Sequence, residues 1–266
     1  MIREAAYRVC GRDERISCKH TEENQYEVLL VHTDGGHMLV RDRLYPMRAG
    51  TLYLINAAEP HCSIPDRPAD YCRSKLILAR DGLHRFLEAA DCEFLIERLF
   101  GGEHASVIPA EAEASLIERR LETIARLFER AREEERPVLH AAILSLLDLC
   151  ARGEREPAVP EGGVVSRALA YISQHLDEHF DLDQMAAALY VSKCYLCRAF
   201  HRSVGMTVME YVNHRRLARA KQLLLTTEKT ISQIADEAGF SGFSYFCSCF
   251  RRVEGVTPSA YRKSNR

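Results

Sequence analysis

Between residues 182 and 261 one sequence pattern occurs twice. Setting Leu196 against Phe246 also pairs Tyr195 with Tyr245, Cys197 with Cys247, Phe200 with Phe250, Gly205 with Gly255, Thr207 with Thr257 and Tyr211 with Tyr261, all at an offset of 50. Upstream the offset is 49, pairing Leu182 with Ile231, Gln184 with Gln233, Met185 with Ile234, Ala186 with Ala235 and Ser192 with Ser241. This predicts a duplicated structural unit with one extra residue in its second turn. The helix signals agree within each copy. "DLDQ" (Asp181, Gln184) and "TISQ" (Thr230, Gln233) read as capping-box starts, Ser192 and Ser241 as caps of the next helix, and Gly205 and Gly255 as its ends. "TVME" from Thr207 opens a longer helix to about Leu225, and Thr257 with Pro258 opens a last one. Each copy is a short helix, a tight turn of about four residues and a second short helix, which is helix-turn-helix spacing.

On a wheel of 100° per residue, the second helix of the first copy turns Leu196, Ala199, Phe200 and Ser203 inward. Cys194, Arg198 and His201 lie opposite, flanked by Cys197 and Arg202. In the second copy Phe246, Cys249, Phe250 and Val253 point in, while Ser244, Ser248 and Arg251 point out beside Cys247 and Arg252. An outward face with Lys193, Arg198 and Arg202 at the start of a helix after a tight turn suits the major groove of DNA, with cations and helix N-termini on phosphates. A single such face also fits a solvated bundle. Two in tandem, joined by a helix carrying Arg215, Arg216, Arg219 and Lys221, favour double-stranded DNA. Charge points the same way: residues 164–266 hold 14 Lys and Arg against 9 Asp and Glu, the remainder 22 against 29.

The rest of the chain has other textures. "ARGEREPAVPEGG", residues 151–163, reads as an interdomain linker. Residues 26–78 give short apolar runs ("YEVLLVHT", "HMLVR", "TLYLIN", "RSKLIL") divided by turn signals, and predict an all-β sandwich or barrel. Residues 82–100 and 111–150 turn helical, with Leu116, Leu121, Ile124, Leu127 and Phe128 on one stripe and Ile143, Leu144 and Leu147 on another, to cover the barrel or pair with a second subunit. No apolar run approaches the ~18–20 residues of a membrane span and no export signal opens the chain, so a cytoplasmic protein with no membrane partner is expected, its ten cysteines reduced.

"IADEAGFSGFSYFCSCFRRVEGVTPSAYR", residues 234–262, closely resembles the signature of AraC/XylS-type transcription regulators, and "LDQMAAALYVSKCYLCRAFHRSVGMTVMEYVNHRRLARAKQLL" is similar to the family's upstream helix-turn-helix and linking helix. "YEVLLV", "AGTLYLIN" and "EPHC" are similar to the family's sensory domain, a cupin-like barrel. The resemblance implies an α+β chain of two domains. Residues 1–150 would form a cupin-like β-barrel with C-terminal helices for effector binding and dimerisation, 151–163 a linker, and 164–266 an all-α DNA-binding domain with two helix-turn-helix motifs. It implies a homodimer that binds an operator, answers a small-molecule effector such as a carbohydrate or metabolite, and contacts or recruits RNA polymerase. Cys194, Cys197 and Arg198 of the first recognition helix, and Phe243, Ser244, Tyr245 and Ser248 of the second, would face bases. Lys193, His201, Arg202, Arg251 and Arg252 complete the expected DNA surface. Tyr190 stands where the second copy has Gly239; if that position needs positive φ, the tyrosine costs on the order of 1 kcal/mol.

Other chemistries compete. Metal-dependent cupins hold an ion with His and Glu ligands; here His61 is in register, His20 is the plausible first histidine with Cys18 beside it in motif, and Glu27 lies farther along than expected. These three residues are the candidate ligand contacts, and a metal-dependent cupin enzyme fused to a DNA-binding domain is one rival. Cys194 and Cys197, with His201, make a redox or metal-sensing regulator another, since thiolate is favoured near a helix N-terminus. A constitutive DNA-binding protein with a purely dimerising barrel is a third. The expectation is a regulator with no catalytic residue, no resident cofactor and no metal.

Overall fold

The computed structural model describes residues 1–11, 24–40, 43–56, 61–101, 106–108, 114–153, 163–178 and 180–265. The chain divides into two compact units, Met1–Val159 and Pro160–Arg266.

The first unit contains β1 (Ile2–Cys10), β2 (Gln25–Val31), β3 (His37–Val40), β4 (Arg43–Pro46), β5 (Leu52–Asn56), β6 (His61–Ile64), β7 (Cys72–Ala79) and β8 (Ser106–Ile108). Its helices are α1 (Arg80–Glu88), α2 (Phe94–Phe100), α3 (Ala114–Arg130) and α4 (Arg136–Arg152). Among the described residues the strands make two antiparallel sheets, ordered β1-β7-β2-β5-β8 and β4-β3-β6, with no ladder joining them. Of the expected sandwich or barrel, the described residues therefore form two facing sheets, and the cupin-like barrel is not closed among them. Closure depends on pairings between distant segments, which the local alternation of apolar residues does not encode.

Period-two geometry sorts β2 onto two cores. Tyr26, Val28 and Leu30 face a layer built from Leu83, Leu87, Leu95, Leu99, Leu121, Ile124, Ile143 and Leu147 of the four helices. Leu29 and Val31 join Met38, Val40, Tyr45, Tyr53, Ile55 and Tyr71 in a second core that draws on both sheets. Burial on both faces explains why "QYEVLLV" is a nearly continuous apolar run. The helices cover their own sheet, although Leu116 of the expected stripe is exposed. Cys10 and Cys72 oppose each other in the β1–β7 ladder and are joined by a disulfide, which corrects the expectation that all ten thiols are free.

The second unit is helical: α5 (Val164–Gln174), α6 (Leu182–Ala188), α7 (Lys193–Val204), α8 (Val208–Thr226), α9 (Ile231–Glu237), α10 (Phe243–Glu254) and α11 (Pro258–Asn265). Its start signals are realised as hydrogen bonds. Thr207 with Glu210 and Thr230 with Gln233 form reciprocal capping boxes on α8 and α9, and Asp181 accepts from the backbone N–H groups of Asp183 and Gln184 on α6. No helix among the described residues is long and apolar enough to cross a membrane.

Candidate nucleic-acid interface

The first helix-turn-helix is α6, a four-residue turn and α7. Leu196, Phe200 and Val204 are buried and set the roll of α7; Ser192 caps it by accepting from the Tyr195 N–H, and Gly205 ends it at φ 74°. With that roll fixed, Lys193, Cys194, Arg198, His201 and Arg202 are exposed and Cys197 is half-buried beside them. Two of these side chains have partners on the protein. Lys193 Nζ lies 2.8 Å from Asp183 Oδ2, a contact that holds its ammonium charged, and Arg198 Nε donates to the Cys194 carbonyl at 3.3 Å. Cys194 and Cys197 are free thiols.

The second helix-turn-helix is α9, a five-residue turn and α10, so the extra residue lies in the turn. Phe246, Cys249 and Phe250 are buried; Phe243, Ser244, Tyr245, Ser248, Arg251 and Arg252 are exposed. The N-cap is Gly242, which offers no side-chain cap, rather than the expected Ser241. The inserted residue moves the serine one place too far from the helix for its hydroxyl to serve. Tyr245 is exposed, but its Oη accepts a 2.8 Å hydrogen bond from Asn213 Nδ2 on α8. The phenol is thus held toward the joining helix.

The linking helix differs from expectation. Arg216 is buried and donates from Nε to the Leu176 carbonyl (2.8 Å) and from a terminal nitrogen to that of Glu178 (2.7 Å). Lys221 is buried beside Glu254, 3.3 Å from its Oε1. Neither cation is available to phosphate. Of the other two, Arg219 sits 3.5 Å from Asp177, and Arg215 donates to the Tyr211 hydroxyl.

In the first unit, Glu27 on β2 and His61 on β6 meet between the sheets, His61 Nε2 lying 2.9 Å from Glu27 Oε2 with both side chains buried. Burial alone would raise the carboxyl pKa; the hydrogen bond and charge of His61, with Lys75 and Arg73, outweigh it and hold Glu27 below its ordinary value. The residues that sequence placed 34 apart are therefore brought together, while His20 and Cys18 lie outside the described residues. Among the described residues no three His, Cys, Asp or Glu side chains are arranged to hold a metal ion.

A helix-turn-helix domain family matches residues 185–264. Regulatory protein PocR of Salmonella typhimurium is 36% identical over 104 residues, 39% of this chain, and the matched stretch spans 34% of PocR. The HTH-type transcriptional activator RhaR of Yersinia pestis is 26% identical over 249 residues, covering 89% of this chain and 82% of RhaR. The C-terminal helical unit thus matches a helix-turn-helix family, and most of the chain is similar to a transcriptional activator. Among solved structures, the DNA-binding domain of AdpA in complex with a target DNA is similar to 38% of this chain, covering 91% of the AdpA chain at 30% identity and a TM-score of 0.37.

Sequence reasoning about this helix-turn-helix domain missed Asn213. A signal was present: Asn213, Leu217, Ala220 and Leu224 recur at three- and four-residue spacing along α8, and all are buried. An amide in that stripe needs a partner, and the partner is Tyr245.

Proposed function

We propose that this chain is a ligand-responsive, AraC-type transcription regulator that binds double-stranded operator DNA through two helix-turn-helix units. The observation that carries the reading is the tandem exposure of two helix faces, Lys193, Cys194, Cys197, Arg198, His201 and Arg202 on α7 and Phe243, Ser244, Tyr245, Ser248, Arg251 and Arg252 on α10. Arg198 and Arg202 lie on the exposed side of α7 and can reach base edges or phosphates; Cys194, Cys197 and Ser248 offer short, weakly polar contacts. Lys193 would exchange Asp183 for a phosphate on binding.

Residues 1–150 form the sensing and dimerising domain in this reading, joined through 151–163 to the DNA-binding domain of 164–266. Two facing antiparallel sheets support an open, cupin-like fold, and the polar Glu27–His61 pair between them is where a small effector would exchange hydrogen bonds with the protein. RNA polymerase is the downstream partner, and the name of RhaR as a transcriptional activator supports activation.

Operator affinity at fixed salt tests the DNA face. Arg198→Ala is expected to weaken binding by roughly 1–3 kcal/mol through loss of a base contact. Unchanged affinity would refute the assignment of α7 to the groove.

A further inference from the structure

Asn213 is a side chain that no part of the DNA reading yet uses. It lies on α8, the helix between the two helix-turn-helix units, and is 8% exposed. Its Nδ2 donates to Tyr245 Oη at 2.8 Å, while its Oδ1 is buried with no hydrogen-bond partner. In this arrangement the amide nitrogen has its partner and the carbonyl oxygen has none. A buried, half-satisfied amide costs stability that an apolar side chain of similar shape would not. Its one partner is Tyr245, 46% exposed on the first turn of α10, the helix that would meet base edges in the DNA-binding reading.

The surroundings fix where that phenol rests. Tyr245 lines a cavity of about 490 Å³ together with Asn213, Arg216, Phe240 and Ser241, and the Phe240 ring packs against it at 6.2 Å between centroids. Asn213 holds the hydroxyl toward α8 and occupies one of its acceptor sites, which fixes how the Tyr245 ring and hydroxyl are presented on α10. A ring edge suits an apolar feature such as the thymine methyl; a free hydroxyl would suit a base acceptor or a phosphate.

We infer that Asn213 is a positioning residue for sequence recognition, acting through Tyr245 to choose which chemical face of the tyrosine the DNA meets. This rests on the DNA-binding reading above. The full chain would be used to select sequences from a random double-stranded library, in the wild type and in Asn213→Leu, Tyr245→Phe and the double variant. Asn213→Leu is expected to keep or raise the melting temperature and to change base discrimination by about fivefold. The change should be confined to base pairs under α10, with those under α7 as internal control, and should be absent when Tyr245 is already phenylalanine. An unchanged preference, the same change in the Tyr245→Phe background, or a lower melting temperature with uniformly weaker binding would each overturn the inference. A wild-type chain that selects no sequence would remove the DNA-binding reading and this inference with it.

Discussion

The two helix-turn-helix units share a plan but are held together differently. In the first, the turn residue Tyr190 adopts φ 56° with its side chain 92% exposed; in the second, Gly239 adopts φ 86° and a Cβ added there would come within 2.3 Å of the Leu176 carbonyl. The same left-handed conformation is thus free to carry a side chain in one unit and pressed against backbone in the other. The glycine is required by its neighbour as well as by its dihedral. The caps differ in the same sense: Ser192 caps α7, while α10 starts from Gly242 without a side-chain cap. Each unit also has an arginine that binds carbonyls of the chain entering it, from non-equivalent positions. Arg216 takes Leu176 and Glu178 ahead of α6, and Arg262 takes Leu224 (3.2 Å) and Lys229 (2.7 Å) ahead of α9. Duplication preserved the helices and let the fastenings diverge.

The largest asymmetry should come from those arginines. Arg216→Ala leaves the buried Leu176 carbonyl unpaired and is expected to cost roughly 2–4 kcal/mol, read as the shift of the helical domain's urea transition. Arg262→Ala, with a more exposed acceptor at Lys229, should cost about 1 kcal/mol. Equal losses would break the contrast between the two fastenings.

The turn residues should respond with opposite signs. Gly239→Ala is expected to destabilise by roughly 2–3 kcal/mol, since it combines left-handed strain with a clash against backbone. Tyr190→Gly removes strain where nothing crowds the side chain and should stabilise by about 0.5–1 kcal/mol in the same urea titration. Losses at both positions would mean that Tyr190 is held by contacts its exposure denies. The smallest effect is expected at the caps. Gly242 is extended at φ 178° with open space around its Cβ position, so Gly242→Ser should stabilise by a few tenths of a kcal/mol, whereas Ser192→Ala should cost about 1 kcal/mol.

The helical unit was largely legible because its signals are local. Asp181, Ser192, Thr207, Thr230, Gly205 and Gly255 all end or start helices as their residue types predict, and the wheel placed Cys249 in the core. What the sequence hid is what depends on distant partners. Arg216 and Lys221 counted as basic surface, yet both are buried against groups at least 33 positions away. β1 escaped notice because an edge strand buries few residues, and its pairing with β7 also brings Cys10 to Cys72 across 62 residues. The Glu27–His61 pair needed two strands from different sheets to meet. Tyr245 is exposed on α10, but the amide bonded to its hydroxyl lies 32 residues upstream.

The central claim is that both units read DNA. Selection of bound sequences from a random library by the full chain, at fixed salt, tests it most directly. Two preferred blocks are expected with centres about one helical turn, roughly 10 base pairs, apart, of which Arg198→Ala erases preference only in the block under α7. A single block that survives Arg198→Ala unchanged, or binding with no sequence preference, would contradict it.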